Sequence, residues 1–245
     1  VSEQDIHTGI QRVVRSVLQA LLLKPDIPYR VVPVRFTNDG EYLAAYNYGY
    51  KLMDLPLDEI QDEIVDVYRD DLLVVLDLDF RYNSLRRRAF EAFQNRGARI
   101  WHVVYDLLPV RLPHYFPSGT QENFTDWLSL VGSFDGAICI SKAVADDLKG
   151  WLAEHSTASR RLPDIGWFHL GADIENSRPT KGLLPDADQR LSRMMKRPTF
   201  LMVGTIEPRK GHAQTLSAFE MLWRDGIEIN LAIVGKKGWD VSSLV

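Results

Sequence analysis

The sequence predicts an α/β protein: a Rossmann-like parallel sheet with helices on both faces, followed by the first βαβ unit of a second Rossmann-like lobe. Three observations carry this. From residue 72 onward, short apolar runs alternate with amphipathic helical stretches, the signature of βαβ units. The first of those runs, Leu72 to Leu76, is apolar throughout, as a strand covered on both faces requires. The alternation breaks over residues 173–198 and restarts at Thr199.

The elements follow in order. Thr8 and Gln11 have capping-box spacing, and Ile10, Val13, Val14, Val17, Leu18 and Leu21 continue at helical intervals until Pro25. Val31 to Phe36 and Glu41 to Tyr46 are predicted strands joined by the turn Asn38-Asp39-Gly40. Pro56 opens a predicted helix, with Leu57, Ile60, Ile64, Val67 and Tyr68 on one face. After the strand at Leu72, Ser84 to Arg96 is helical and stops at Gly97. Ile100 to Tyr105 is a strand and Ser118 to Val131 a helix. Ala137 to Ile140 is a strand, Ser141 caps the helix that carries Val144, Leu148 and Leu152, and Gly166 to Leu170 is a further strand.

Residues 173–198 hold Pro179, Pro185 and Pro198 among many charges, and are predicted as a linker with a helical piece. Thr199 to Val203 is then a strand, His212 to Trp223 a helix and Ile229 to Val234 a strand. The organisation expected is a first lobe over 1–172, a linker over 173–198 and an incomplete second lobe over 199–245. That division explains a length of 245 residues, long for one domain and short for two.

Composition excludes several classes. At 45% hydrophobic and 25% charged, the chain has enough apolar material for a core and is not disordered. A net charge of −4 offers no reason to expect nucleic acid as a partner. The single cysteine, Cys139, excludes an intrachain disulfide and a thiolate metal cluster, and a reducing, cytoplasmic compartment is expected. In its apolar strand, with no basic neighbour, Cys139 is expected in the core rather than as a nucleophile. No apolar run reaches the roughly 18–20 residues that span a bilayer.

The segment richest in chemistry is residues 203–212, Val-Gly-Thr-Ile-Glu-Pro-Arg-Lys-Gly-His, between a strand and a helix. Ligands of α/β sheets bind at such carboxyl ends of strands. Gly204 permits close approach to the backbone. Arg209 can fork onto phosphate oxygens and Lys210 adds a compact charge. The following helix contributes free N–H groups and the positive end of its dipole. The set suits a diphosphate. It is neither a Walker A loop nor a Gly-x-Gly-x-x-Gly fingerprint, which weakens a nucleotide-sugar epimerase. A solvated Arg-Lys pair is the plain alternative, but cations at a helix start oppose its dipole.

Here a family resemblance becomes specific. "GTIEPRKGH", "AFEMLW" and "LAIVGKKGW", spanning Gly204 to Trp239, resemble the opening of the C-terminal lobe of a GT-B glycosyltransferase of family 4. The variant is that of bacterial polysaccharide and O-antigen mannosyltransferases. The resemblance implies that Arg209 and Lys210 grip the diphosphate of a sugar nucleotide, with Gly204 and Thr205 beside it. Many relatives carry Arg or Lys at the place of Thr205. "TGIQRVVR" resembles the family's first loop and helix, with Thr8 and Gly9 facing donor phosphate and acceptor; Thr8 as a plain helix cap is the equal alternative. A strand normally precedes that loop, and only seven residues precede Thr8 here.

Val-Val-Tyr-Asp-Leu-Leu-Pro, residues 103–109, resembles the family's His-Asp-Leu-x-Pro turn. Asp106 matches it and is implied to face acceptor and sugar, while Tyr105 replaces the usual His. His102 does not substitute, because residues three apart on a strand point to opposite faces. The plain alternative for Asp106 is a carboxylate that caps the next turn. In "CISKAVADDL" Ser141 caps a helix first, with a cleft role second.

Residues 54–71 hold eight acids and one base, and residues 81–99 six bases and one acid. Solvated helix faces are the plain reading. A functional one has Arg81, Arg86, Arg87, Arg88 and Arg96 meeting an anionic membrane surface, each contributing about 1 kcal/mol.

The resemblance implies a retaining hexosyltransferase that needs no metal and no cofactor. It would move a sugar, mannose from GDP-mannose as first choice, onto a glycan or lipid-linked oligosaccharide acceptor for surface polysaccharide synthesis. The enzyme would work in the cytoplasm, at the inner face of the membrane. Arg209, Lys210 and Asp106 are the implied catalytic residues. The family's Glu-x₇-Glu signature lies beyond Val245, so this chain alone is expected to be inactive. The rival from another class is a non-catalytic module that binds a glycan or a partner.

Overall fold

The computed structural model describes residues 9–24, 26–56, 60–155, 162–171 and 184–241. Its internal contacts divide the chain into two units: Val1–Arg111 with Gly119–Ile174, and Leu112–Ser118 with Glu175–Val245.

In the first unit the opening helix is α1, Gly9–Leu23, with Val14 and Leu18 buried one turn apart. Thr8, its expected cap, lies outside the described residues. The predicted hairpin forms from β1, Val34–Phe36, and β2, Tyr42–Ala44, antiparallel with Phe36 opposite Tyr42. Gly40 turns it with φ of +94°, a conformation open to glycine. The chain then enters a helix, α2 (Tyr46–Leu52), where the second strand was expected to run on.

The helix predicted from Pro56 to Tyr68 is absent over its described part. Residues 60–68 form no helix, and Ile64 bridges Leu43 of β2. The Ala44 N–H donates to the Glu63 carbonyl at 2.8 Å and the Val65 N–H to the Tyr42 carbonyl at 2.9 Å. The spacing of Ile60, Ile64 and Val67 fits a helix, but Ile64, Val65 and Val67 are β-branched. The open edge of β2 supplies the hydrogen bonds that decide between the two forms. Ile64 and Tyr68, on the expected buried stripe, are 66% and 67% exposed.

The main sheet is parallel, in the order β3 (Leu72–Val75), β4 (Arg99–Val104), β5 (Gly136–Cys139), β6 (Asp164–Trp167). It is flanked by α3 (Asn83–Asn95), the short α4 (Leu108–Arg111), α5 (Thr120–Val131) and α6 (Lys142–His155). α5 starts two residues later than expected, after Gly119 at φ +81°. Ile100 and Val104 of β4 meet Phe90 of α3, Phe124, Trp127 and Leu128 of α5, and Leu148 and Leu152 of α6 in one core. Each such side chain contributes about 1.5–3 kcal/mol by leaving water. Cys139 is fully buried there, and burial pushes its thiol up to about 11, so it is inert as expected.

Two charged or polar side chains share this interior. His102 is 1% exposed, edge-on to Phe90 at 5.3 Å, with neither ring nitrogen bonded. Burial, with Arg86 nearby, pushes it down to about 3, so the imidazole is neutral. Arg86 is also buried. Its guanidinium donates to Asp79 Oδ2 at 3.0 Å and lies 4.5 Å from the Phe36 ring centre. Burial works against the Asp79 charge, but hydrogen bonds from Arg81 and the charges of Arg86 and Arg81 outweigh it and hold the carboxyl below its ordinary value. Arg86 therefore leaves the expected membrane-facing set, because a buried, paired guanidinium cannot meet a surface. Arg87 turns to Ser133 Oγ at 3.2 Å. No helix among the described residues is long and apolar enough to cross a membrane.

In the second unit α7 (Ala187–Met194) is the helical piece expected between the lobes. The Met194 carbonyl at its end accepts from Thr199 Oγ1 at 2.9 Å and Asn230 Nδ2 at 3.2 Å. Those residues start β7 (Thr199–Val203) and β8 (Asn230–Val234), a parallel pair joined through α8 (His212–Arg224). Phe200 packs edge-on against Phe219 of α8 at 5.4 Å, and Leu201 and Val203 point to the other face, 61% and 75% exposed.

Candidate functional site

The Arg-Lys segment leaves the carboxyl end of β7, where the sequence places it. Beyond the strands the two loops stay side by side: the Gly204 N–H donates to the Val234 carbonyl and the Ile206 N–H to the Lys236 carbonyl, each at 2.9 Å. Gly204 has φ of +148°, with open space where a side chain would stand. A Cβ on Gly235 would collide with the Gly204 carbonyl oxygen, so the close approach at this edge is first of all backbone to backbone. Thr205 is half-buried between Gly204 and Ile206.

Pro208–Lys210 form a 3₁₀ turn, and Gly211 at φ +70° leads into α8. The first N–H groups of α8 have no partner within the helix, and no side chain caps them. Lys210 projects into solvent. Arg209 does not: its Nη2 lies 2.7 Å from Oε1 of Glu207, a carboxylate whose side chain is 3% exposed. The pair is close, yet Glu207 Oε1 lacks a hydrogen bond of good angle, so the contact is an ion pair rather than a linear bond. The Arg209 guanidinium also stands 5.9 Å from the Phe116 ring centre, and Phe116 stacks on Trp239 at 5.8 Å. All four residues belong to the second unit. Lys236 and Lys237, exposed on the neighbouring loop, add charge to the same edge.

The first unit gathers its candidates at the carboxyl edge of its own sheet. Gln11 near the start of α1 donates from Nε2 to Asp77 Oδ1, just past β3, at 2.7 Å. That bond brings the Gly9 end of α1 to the edge. Tyr105 is placed differently from expectation: it is 5% exposed, and its hydroxyl donates to the Leu76 carbonyl at 2.8 Å. Burial, then the charge of Asp77, raises its pKa well above the ordinary tyrosine value. Asp106 is half-buried, and its Oδ1 accepts from the Leu108 N–H at 3.0 Å, the capping role foreseen as its alternative. Ser141 caps α6 through the Val144 N–H at 3.2 Å. Among the described residues, no three His, Cys, Asp or Glu side chains converge to hold a metal ion.

Residues 185–243 match the family described as Glycosyl transferases group 1. The match takes in α7, β7, the Arg-Lys turn, α8 and β8, and indicates a GT-B, Rossmann-like lobe. Over its whole length the chain is similar to proteins named serotype-specific mannosyltransferase WbdA, from Escherichia coli. Three of them are each 42% identical to it over 250 residues. The chain spans only about three tenths of the length of these curated relatives, 29–30%. No solved structure matches it at a significant level.

Glu207, Phe116, Trp239 and the lysine pair were not singled out by sequence reasoning. The lysines carried a usable signal, two adjacent cations at the carboxyl end of a strand. Phe116 carried none, since it meets Arg209 across a wide gap in sequence.

Proposed function

We propose that the protein is a retaining glycosyltransferase that moves a sugar, mannose from GDP-mannose as first choice, onto a glycan or lipid-linked acceptor in polysaccharide synthesis. The observation that carries this is the edge of β7 and β8, where an open glycine, Arg209, Lys210 and the uncapped start of α8 follow within nine residues. When the glycosidic bond to phosphate breaks, the nucleoside diphosphate departs with the electron pair and the anomeric carbon gains positive charge. Arg209 and Lys210 act on the first half of that problem. Cations already fixed at the leaving group stabilise its growing charge without reorganising. Similarity to mannosyltransferases over all 245 residues supports the sugar class.

Each charge-assisted hydrogen bond contributes about 1.5–3 kcal/mol. Lys210→Ala in the full-length protein should therefore lose roughly tenfold to a hundredfold in turnover, with thermal stability unchanged. Wild-type turnover in that variant would remove Lys210 from the mechanism.

A second reading, a non-catalytic module that binds a glycan or a partner, draws on Asp106. One oxygen of its carboxylate accepts from a backbone N–H, which a purely structural turn cap would also do. Sugar-nucleotide hydrolysis or transfer by the full-length protein, with none by its Arg209→Ala variant, would decide for the transferase.

A further inference from the structure

We propose that Phe116 is a positioning residue for Arg209, holding the guanidinium in the place from which it meets the donor diphosphate. This rests on Arg209 being a diphosphate contact. The segment Leu112–Ser118 follows α4 in the chain, yet its contacts place it in the second unit with the Arg-Lys turn. It is anchored there by the Trp239 indole N–H, which donates to the Tyr115 carbonyl at 2.8 Å, and by the stack of Phe116 on Trp239 with the rings 27° apart. The guanidinium lies over the Phe116 ring, 5.9 Å from its centre and within cation–π range.

Two features make the ring more than packing. Arginine is long and loses much rotamer freedom when ordered. Glu207 holds one end of the fork at 2.7 Å, without the angle of a proper hydrogen bond. One off-angle contact does not define the plane of a guanidinium. The Phe116 ring adds a second restraint on where the cation sits. A second carboxylate would also orient Arg209, but it would cancel the charge that a phosphate needs. The ring's quadrupole attracts the cation and leaves that charge in place. The Arg209 side chain stays 27% exposed, so it is not sealed from solvent. Preorganisation of this kind acts on affinity, because less freedom is lost on binding.

The test is calorimetric titration of the full-length protein, using whichever of GDP, UDP and ADP the wild type binds most tightly. The variants are Phe116→Ala, Phe116→Leu, Phe116→Tyr, Arg209→Ala and the double alanine. Phe116→Ala should weaken binding roughly 3- to 30-fold, the range a cation–π contact spans. Phe116→Tyr should stay within about twofold of wild type, since a phenol keeps the π face. Phe116→Leu keeps apolar bulk but not the ring, and should remain weak. In the Arg209→Ala background Phe116→Ala should add nothing, as coupled residues require. Wild-type affinity in Phe116→Leu, or an equal loss in both backgrounds, would overturn the proposal while leaving the diphosphate reading intact. Unchanged binding in Arg209→Ala would instead defeat that reading, and this inference with it.

Discussion

His102 of β4 and Tyr105, the residue just past that strand, show how far single residues could be read. Alternation predicts opposite faces for residues three apart on a strand. It does not say whether those faces are covered, and both side chains are buried. Tyr105 has a hydroxyl to satisfy and reaches the Leu76 carbonyl. His102 finds no partner and is kept neutral. This has a consequence for acid stability. Its folded value of about 3 lies below the ordinary 6.5, so between those pH values the unfolded chain binds a proton that the folded chain does not. Stability therefore falls as pH drops from about 6.5 towards 3, by up to about 1.4 kcal/mol per pH unit from this residue. His102→Leu should remove that share of the slope and match or exceed wild type in urea unfolding at pH 5. A variant as acid-sensitive as wild type would show that other groups carry the effect.

At the scale of elements, the βα rhythm from Leu72 onward was legible because most strands are short apolar runs and the helices between them amphipathic, while β6, Asp164–Trp167, starts two residues before the predicted Gly166. Ser141 was legible as a cap for a local reason: its hydroxyl serves an N–H three residues away. The stretch 60–68 misled because its apolar spacing fits a helix, while the bonds that decide it come from β2, distant in sequence. The turn after β7 is a similar case. Gly204 was singled out for ligand approach, yet the tightest contact at that edge is Gly235 against Gly204. Gly235→Ala should therefore cost about 1–3 kcal/mol, by overpacking against backbone that cannot move aside. A melting temperature equal to wild type would show that the two loops separate freely.

At the scale of the whole molecule, the sequence showed an α/β rhythm, its interruption and its restart, and the observed parallel sheets follow that pattern. The grouping of Leu112–Ser118 with residues beyond 174 was not legible. Nothing in Phe116 or Tyr115 signals contact with Trp239, which lies more than a hundred positions on. For the candidate site, the type of each charged residue in the Arg-Lys turn could be read, but not its engagement. Arg209 meets a buried carboxylate and a ring, while Lys210 stands free in solvent. The central claim is that this turn holds a nucleoside diphosphate. Two charge-assisted contacts of about 1.5–3 kcal/mol each correspond to a loss of at least about a hundredfold in affinity when both are removed. Titrating GDP into the full-length protein and into its Arg209→Ala/Lys210→Ala variant measures this directly. We expect binding in the first and a loss of a hundredfold or more in the second; equal affinity in the two would contradict the account.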